Sequence, residues 1–315
     1  MRLAVLSEMA DEWAARVSEW KLLLSYPTAA ANDVYRLFQL LVSSWPLEFS
    51  DTESRNTGMA QYIDRLKTVM RKCMREAKQQ SSWTAPNDEY EQQVLACIDA
   101  LLASVQSAAF LKSFCAFHAP IAAAAAKKSL TQTALRLCMP GMPDTYQGTE
   151  LWDFNMVDPD NRRAIDFRKR EQLLHVTVNE LKEDSEQAMR RYINNWQDGR
   201  IKLAVIYQLL DLRRTHATLF IEGNYVPLNL EGEQSHAIIC FARHHNDQTM
   251  IVLARRFFAG RSAVMEWKDT RVVLPQAMHG LDWYEILSGQ EFHSNEFIHV
   301  QPYLDNLPVA VMLRK

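Results

Sequence analysis

The hydrophobic periodicity of this chain changes once, near Leu219, and that change limits what the chain can fold into. Before it, apolar residues recur at the spacing that places them on one face of a helix. After it, short apolar runs are separated by turn residues, which is typical of β-strands. The sequence therefore predicts a mainly helical first two-thirds and a strand-rich last third.

Helices are predicted at six places in the first part. They are a helix capped by Asn32 or Asp33 and carrying Val34, Leu37, Phe38 and Leu41 on one face, then 59–78, a helix capped by Asp88 with Tyr90, Val94, Leu95, Ile98 and Leu101 inward, 119–137, 182–196 and 201–213. Pro120 is expected in the first turn of the fourth helix. The last helix is apolar nearly all round, which favours a buried position. The polar stretch 79–87, which contains Pro86, is predicted to be a loop.

The helical rhythm breaks between residues 135 and 150. An apolar run ends at Met139. The next nine residues, 140–148, contain two prolines and two glycines. This composition excludes a helix interior after Met139 and predicts a short strand near Leu137 that opens into a structured loop. Gly148 is expected to adopt a positive φ angle there. A charged loop is predicted to continue to about Phe167.

Five short strands are predicted in the last third, at 225–228, 237–241, 250–253, 272–274 and 309–313. So many strands in under 100 residues favour a compact antiparallel β domain. His244 and His245 precede Asn246-Asp247 and are predicted on the surface of a hairpin turn.

The bulk composition excludes several classes of function. A net charge of −3 and a pI near 6.3 give no electrostatic basis for binding nucleic acid or an acidic membrane. The five cysteines are scattered without C-x-x-C spacing, which favours reduced thiols in a cytoplasmic protein over a zinc site or a disulfide framework. The first apolar run stops at Ser7-Glu8, too short for a signal peptide or a membrane span.

The stretch from Tyr146 to Arg163 holds the densest set of polar groups in the chain. It combines four acids, two adjacent arginines, two asparagines and aromatic side chains. Carboxylates and guanidinium groups bind vicinal hydroxyls, and aromatic faces stack on a pyranose, so this mixture suits a sugar ligand. The alternative is a surface loop held by its own Asp–Arg pairs.

Two motifs in this stretch carry a family resemblance. Pro140 to Trp152 resembles the last barrel strand and following loop of the α-amylase superfamily, glycoside hydrolase family 13. The longer form, through the run from Val157 to Arg163 and on to Asp166, is similar to one branch, the maltooligosyltrehalose synthases. Residues 2–8, 75–91, 219–228 and 307–311 resemble other parts of that family, so the likeness covers the whole chain. Ala10, Met142 and Ala164 are small departures from its pattern.

The resemblance implies an α+β fold. Residues 1–134 are expected to be a helical insertion after barrel strand seven. Residues 135–218 are expected to supply the last strand, substrate loop and last helices of a (β/α)8 barrel, and 219–315 an antiparallel β domain. The substrate would be a maltooligosaccharide, whose reducing-end α-1,4 bond becomes an α,α-1,1 bond by intramolecular transfer with retention. No metal or organic cofactor is implied, and the barrel portion of the same enzyme is the implied partner.

The family's three catalytic carboxylates lie at the ends of barrel strands four, five and seven, and are expected to precede this chain. No residue here is therefore predicted to be catalytic. The predicted substrate-binding residues belong to one loop and to the helical insertion: Tyr146, Glu150, Asp158, Asp160, Asn161, Arg162, Arg163, Lys78 and Trp83. The loop residues have an alternative role as braces, Glu150 above all, and one of the two arginines is expected to face sugar while the other holds the loop. Lys78 and Trp83 are expected to help exclude water, with a salt bridge and a packed indole as the alternative.

Other readings remain open. Trp267, Trp283 and Tyr284 suit a starch-binding platform or, more commonly, a β-domain core. The chain itself suits a non-catalytic carbohydrate-binding module or a structural fragment, whereas the runs 158–163 and 75–83 argue against another superfamily enzyme such as a trehalohydrolase. Without a barrel, helix 201–213 and the strand near Leu137 would lose apolar neighbours, which predicts self-association or a domain arrangement that covers this surface.

Overall fold

The computed structural model describes residues 1–24, 29–104, 107–156, 158, 160–260 and 265–315. These residues divide into two compact units. Unit 1 consists of Met1–Ala124 and Phe154–Ala164, and unit 2 of Ala125–Asp153 and Ile165–Lys315. The chain therefore leaves unit 1, returns to it for one short segment, and then completes unit 2. The predicted residues Val157 and Pro159 lie outside the described residues.

The helices of the described chain follow in order. They are α1 (Arg2–Leu6), α2 (Ala10–Lys21), α3 (Ala31–Ser44), α4 (Thr52–Ala77), α5 (Asp88–Leu102), α6 (Ser107–Cys138), α7 (Phe167–Glu183), α8 (Ser185–Asn194), α9 (Arg200–Thr215), α10 (Ala217–Ile221) and α11 (Gln301–Leu304).

Unit 1 is helical, and an aromatic cluster lies at its centre. Trp20 of α2 is fully buried, and its ring centroid lies 5.5, 5.5 and 5.6 Å from those of Phe38, Phe110 and Phe114. The predicted inward face of α3 is confirmed, because Val34, Leu37, Phe38 and Leu41 are all buried. Its predicted cap is wrong, since α3 begins at Ala31 with Ala30 before it.

Helices α4 and α5 of unit 1 each begin after a residue whose side chain caps the helix. The Asp51 side chain caps α4 by accepting from the Ser54 amide at 2.7 Å, so the helix starts before the predicted residue 59. The Asn87 side chain, one residue before the predicted Asp88, caps α5 by accepting from the Tyr90 amide. The predicted inward face of α5 is buried, and residues 79–87 form a loop as predicted.

Helix α6 overturns two sequence-based predictions. Pro120 lies inside it rather than in its first turn, and Leu137 is helical rather than in a strand. A proline inside a helix costs about 3 kcal/mol through a lost hydrogen bond and a steric clash, and burial of Phe117 and Ile121 beside Pro120 offsets this cost. Leu130, Ala134, Leu137 and Cys138 share one helical face and are fully buried in unit 2, so the helix continues until Pro140 prevents it.

By length and composition alone, α6 meets the requirements of a membrane-crossing helix among the described residues. Its N-terminal half contributes Phe110 and Phe114 to the buried interior of unit 1, and its C-terminal half contributes Leu130 and Leu137 to the core of unit 2. Such burial is typical of a core helix.

Among the described residues, the strands all lie in unit 2. They are β1 (Asn224–Pro227), β2 (Asn229–Glu231), β3 (Ile238–His245), β4 (Gln248–Arg255), β5 (Arg271–Val273), β6 (Leu281–Glu285), β7 (Glu291–Ser294), β8 (Phe297–His299) and β9 (Val309–Arg314). The five predicted strands correspond to β1, β3, β4, β5 and β9, so the antiparallel character of this region is confirmed. Strands β2, β6, β7 and β8 were not predicted.

The strands form two antiparallel sheets. The larger has the order β1-β3-β4-β9-β6-β7 and the smaller β2-β5-β8. One face of the larger sheet shares a core with α6 to α10, through residues such as Phe241 and Val252, while the other shares a core with the smaller sheet, through Ile251 and Leu253. Because β4 is buried on both faces, it is apolar almost throughout rather than alternating.

This layering revises several expectations. Trp267 and Trp283 are buried in the core between the two sheets, so they form no starch-binding platform. Helix α9 is buried as predicted, and unit 2 covers both it and Leu137, which matches the predicted alternative of a domain arrangement that covers this surface. The expected helix 182–196 begins at Ser185, where Asp184 caps α8. The proposed boundaries at 134/135 and 218/219 fall inside α6 and α10.

Candidate functional site

The nine predicted substrate-binding residues fall into both units. Unit 2 holds Tyr146 and Glu150, and unit 1 holds Lys78, Trp83, Asp158, Asp160, Asn161, Arg162 and Arg163. The polar loop therefore has two parts, the unit 2 stretch (residues 145–153) and the unit 1 stretch (residues 154–164).

The unit 2 stretch opens with a tight turn. The Tyr146 carbonyl accepts from the Thr149 amide at 3.1 Å and from its hydroxyl at 2.6 Å. Gly148 has a φ of 88°, which confirms the prediction, and a Cβ there would lie 2.8 Å from the Ile165 side chain. The turn leaves the Tyr146 side chain 46% exposed and available to a ligand.

Glu150 is paired with an arginine of α7. Arg170 Nε lies 2.5 Å from Glu150 Oε1, and the two side chains are only 18% and 21% exposed. The same guanidinium donates to the Gly148 and Asp166 carbonyls, at 3.2 Å each. Arg170 thus fastens the turn to the start of α7, and the contacts of Glu150 match its alternative role as a brace.

Lys202 supports the end of the unit 2 stretch and was not predicted. It is buried, donates to the Leu151 carbonyl at 3.2 Å, and lies 5.7 Å from the centre of the Trp152 indole. Burial, helped by the positive charge of Arg136, lowers the pKa of Lys202 to about 8. The signal in the sequence was a single lysine in the apolar run that opens α9.

Asp160 is the most tightly held residue of the unit 1 stretch. Arg65 of α4 donates from Nε and Nη2 to its two carboxylate oxygens, at 2.8 Å each, and the Met156 amide adds a third bond at 2.9 Å. The Asp160 side chain is 5% exposed. Burial alone would raise the pKa of Asp160, but the bonds from Arg65 and Met156 outweigh it and lower that pKa. This bidentate pair clamps the stretch onto α4.

Asp158 and Arg162 form a second, exposed pair. Arg162 Nε lies 2.5 Å from Asp158 Oδ1, and the side chains are 71% and 45% exposed. Lys72 of α4 donates to the Asp158 backbone carbonyl at 2.5 Å, so the backbone is anchored while the side-chain pair faces solvent. A pair this exposed contributes little to stability, which leaves both groups available to a ligand.

Arg163 turns back onto its own stretch. Its Nε donates to Asn155 Oδ1 at 3.1 Å and to the Asp160 carbonyl at 3.2 Å, and its Nη2 also donates to Asn155. The neighbouring Asn161 side-chain oxygen is buried, with no hydrogen-bond partner among the described residues. Of the two adjacent arginines, Arg163 has the contacts of a brace and Arg162 has the more exposed side chain.

Arg2 anchors the beginning of the unit 1 stretch and was also missed from sequence. Its guanidinium lies 3.9 Å from the centre of the Phe154 ring and donates to the Trp45 carbonyl at 2.6 Å. Burial lowers the pKa of Arg2 to about 10, with the Coulomb effects of Tyr62 and Glu48 opposing it. Arg2 and Phe154 are 152 positions apart (154 − 2), and neither motif nor periodicity points to such a contact.

Lys78 and Trp83 lie on the loop between α4 and α5. Lys78 ends α4 in the left-handed conformation with a φ of 54°, and its side chain is exposed. Trp83 lies in a turn closed by the Ser82 amide, which donates to the Ala85 carbonyl at 3.2 Å. Its side chain is 53% exposed, and the Arg75 guanidinium lies 5.2 Å from the ring centre, so the indole is partly packed.

Among the residues that the structure describes, no group of three or more histidine, cysteine, aspartate or glutamate side chains is arranged to hold a metal ion.

Comparison with known proteins identifies the relatives of this chain. No family model matches it. A Mycobacterium tuberculosis protein described as a putative maltooligosyl trehalose synthase is 28% identical over 313 residues, which is 99% of this chain and 35% of that protein. A crystal structure of a maltooligosyl trehalose synthase matches all of this chain and 37% of its own, with 30% identity and a TM-score of 0.78. This chain is homologous to the C-terminal portion of maltooligosyltrehalose synthases.

A Sulfolobus tokodaii structure, described as a hypothetical maltooligosyl trehalose synthase, agrees, with 28% identity and a TM-score of 0.71 over all of this chain and 36% of its own. The family resemblance found in the motifs around Pro140 to Trp152 and Asp158 to Arg163 is therefore confirmed, and it extends over both units. The chain spans about a third of the length of the synthases that it matches.

Proposed function

We propose that this chain is the C-terminal part of an intramolecular transglucosylase of trehalose biosynthesis. The enzyme would convert the reducing-end α-1,4 bond of a maltooligosaccharide into an α,α-1,1 bond, with retention and through a covalent glucosyl intermediate. The nucleophile and the acid/base would come from a catalytic barrel portion outside this chain, and no metal or organic cofactor is needed. The cytoplasm, where the five cysteines stay reduced, is the proposed location.

The observation that carries this proposal is similarity to synthases across 99% of the chain, including its densest polar stretch. The geometry supports a division of labour within that stretch. We assign sugar contact to Tyr146 and to the exposed pair of Asp158 and Arg162. Glu150, Asp160 and Arg163 would instead hold the stretch in place for them.

The division has a physical basis. A buried group with two or more internal bonds, such as the Asp160 carboxylate, cannot turn to a ligand without losing those bonds away from water. An exposed guanidinium such as that of Arg162 can exchange one weak surface pair for two parallel hydrogen bonds to vicinal hydroxyls. Asn161 belongs to neither group, because its side-chain oxygen is buried and has no hydrogen-bond partner among the described residues.

Turnover of maltopentaose tests the proposal. A complete enzyme that carries this chain as its C-terminal part should remove reducing ends and give a non-reducing product of unchanged mass. The isolated chain should give none, because the proposed carboxylates are not in it. A complete enzyme that only hydrolyses maltopentaose to glucose and shorter chains would contradict the transglucosylase assignment.

A second candidate is a maltooligosaccharide-binding module without catalysis of its own. The exposed indole of Trp83 favours it, since exposed aromatic faces are the usual contact surface for sugars. Saturable binding of maltopentaose to the isolated chain, together with no turnover in any complete protein that contains it, would favour this candidate over the first.

A further inference from the structure

Trp83 is exposed and yet held in one orientation. Its indole Nε1 donates to Glu76 Oε1 at 2.9 Å, and the Arg75 guanidinium lies over the ring at 5.2 Å from its centre. These contacts fix the rotation of the ring and place a cation against it. The side chain nevertheless remains 53% exposed.

Arg75 is itself locked in position. It donates from Nε and Nη2 to the two carboxylate oxygens of Glu91, at 2.7 and 2.8 Å. The Glu91 side chain is 2% exposed and that of Arg75 is 17% exposed, so the pair is mostly shielded from water. Hydrogen bonds from Arg75 and Ser81 lower the pKa of Glu91 against the opposing effect of burial, which keeps it charged.

Ser81 connects this pair to the loop that carries the indole. Its hydroxyl donates to Glu91 Oε1 at 2.5 Å and accepts from the Asn87 amide at 3.1 Å. The two ends of the 81–87 loop are therefore tied to one buried carboxylate. Glu91 thus holds Arg75 by hydrogen bonds, and Arg75 in turn makes a cation–π contact with the Trp83 ring.

We propose that Trp83 is a preorganised stacking platform for an α-glucopyranosyl ring, with Glu76, Arg75 and Glu91 as its positioning residues. The C–H groups of a pyranose form an apolar face that packs on an indole, and an indole already fixed loses little side-chain entropy on binding. The Glu76–indole bond stabilises no buried contact, because the Trp83 side chain is exposed. The choice of an α-glucan rests on the proposed function, but the platform itself requires no catalysis.

Nuclear magnetic resonance of the isolated chain tests the platform. Eight tryptophans give eight indole N–H signals, and the signal missing from Trp83→Phe assigns Trp83. Maltopentaose should shift that signal saturably, while cellopentaose, its β-linked counterpart, should bind at least about ten times more weakly, a difference of about 1.4 kcal/mol. Equal shifts with the two sugars would overturn the assignment to α-glucans.

Four variants separate stacking from a merely structural role. Trp83→Ala should abolish saturable binding, judged by calorimetry, while Trp83→Phe should retain it, weakened by up to about tenfold, since a phenyl face still stacks. Glu76→Ala should raise the Kd about three- to tenfold, and Glu76→Gln, whose amide oxygen still accepts the indole N–H, should restore it. Glu76 is exposed, so these two variants should fold normally.

Phe167→Ala is the matched control, because it removes an exposed aromatic ring that lies in unit 2, whereas Trp83 lies in unit 1. It should leave the Kd unchanged. A Trp83→Ala variant that binds maltopentaose as well as the unaltered chain would overturn the platform, as would an unaltered chain that binds none. Neither result would touch the transglucosylase proposal, which turnover by the complete enzyme decides separately. A Kd insensitive to Glu76→Ala would overturn the positioning role alone.

Discussion

The unit 2 stretch and the unit 1 stretch follow each other in sequence, and each is held by a carboxylate–arginine pair. The two pairs differ in burial. Each fixes a carboxylate with an arginine from a helix: Glu150 with Arg170 of α7, and Asp160 with Arg65 of α4. The Asp160 side chain is 5% exposed and receives two guanidinium bonds, whereas the Glu150 side chain is 21% exposed. Of these two acids, Asp160 is therefore the more deeply buried, and both of its carboxylate oxygens accept from one guanidinium.

This comparison changes which residues are expected to meet a sugar. Two of the acids predicted as ligands, Glu150 and Asp160, are occupied by helix arginines. The groups left toward solvent are the Tyr146 ring and the guanidinium of Arg162. Substitutions can test this difference. Some compare how much each bracing contact stabilises the fold, and one separates bracing from contact with a ligand.

The largest effect is expected at the buried pair. Asp160→Ala should lower the free energy of unfolding of unit 1 by about 3–5 kcal/mol, because removing one member of a buried ion pair leaves the other charge without this partner. Hydrogen exchange at the α4 amides in urea measures it. Asp158→Ala, in the same stretch but half-exposed, is the control and should cost under about 1 kcal/mol. Equal losses would show that burial does not set the strength of these pairs.

The same pair predicts a dependence on pH. The pKa of Asp160 is lowered in the folded protein, so its stabilisation is fully present above the unfolded pKa of about 3.9 and is lost as pH falls through the folded value. The difference in melting temperature between the unaltered chain and Asp160→Asn should therefore shrink below about pH 4. A difference that grows on acidification would contradict this sign.

A smaller effect is expected in unit 2. Glu150→Gln should lower the free energy of unfolding by about 1 kcal/mol, because its pair with Arg170 is partly solvated and the amide keeps one acceptor. The α7 amides report it by hydrogen exchange. A loss as large as that of Asp160→Ala would remove the distinction between the two stretches.

Arg163→Ala should cost less still, about 0.5–1 kcal/mol. Its bonds to Asn155 and to the Asp160 carbonyl lie at a surface where the arginine side chain is 48% exposed. Thermal unfolding measures the change, and Arg163→Lys should restore little of it because lysine lacks the fork that reaches both acceptors. Full restoration by lysine would mean that charge alone matters here.

Local patterns were enough to predict much of the fold. The buried face of α3 and strands such as β4 follow from spacing, because burial repeats with the period of the element. The continuation of α6 through Pro120 could not be predicted, since tertiary burial outweighs the helix-breaking tendency of proline. The pairing of Arg65 with Asp160 joins residues 95 positions apart, and spacing within a motif carries no information about such a contact.

The most direct test of the account is Arg162→Ala in a complete enzyme that carries this chain as its C-terminal part. The side chain is 71% exposed, so its loss should change the free energy of unfolding by less than about 0.5 kcal/mol. If it binds substrate, kcat/KM for maltopentaose should fall about ten- to a hundredfold, the cost of about 1.5–3 kcal/mol for one charge-assisted hydrogen bond. Unchanged kcat/KM, or a loss of activity matched by a loss of stability, would contradict the assignment of Arg162 to the sugar.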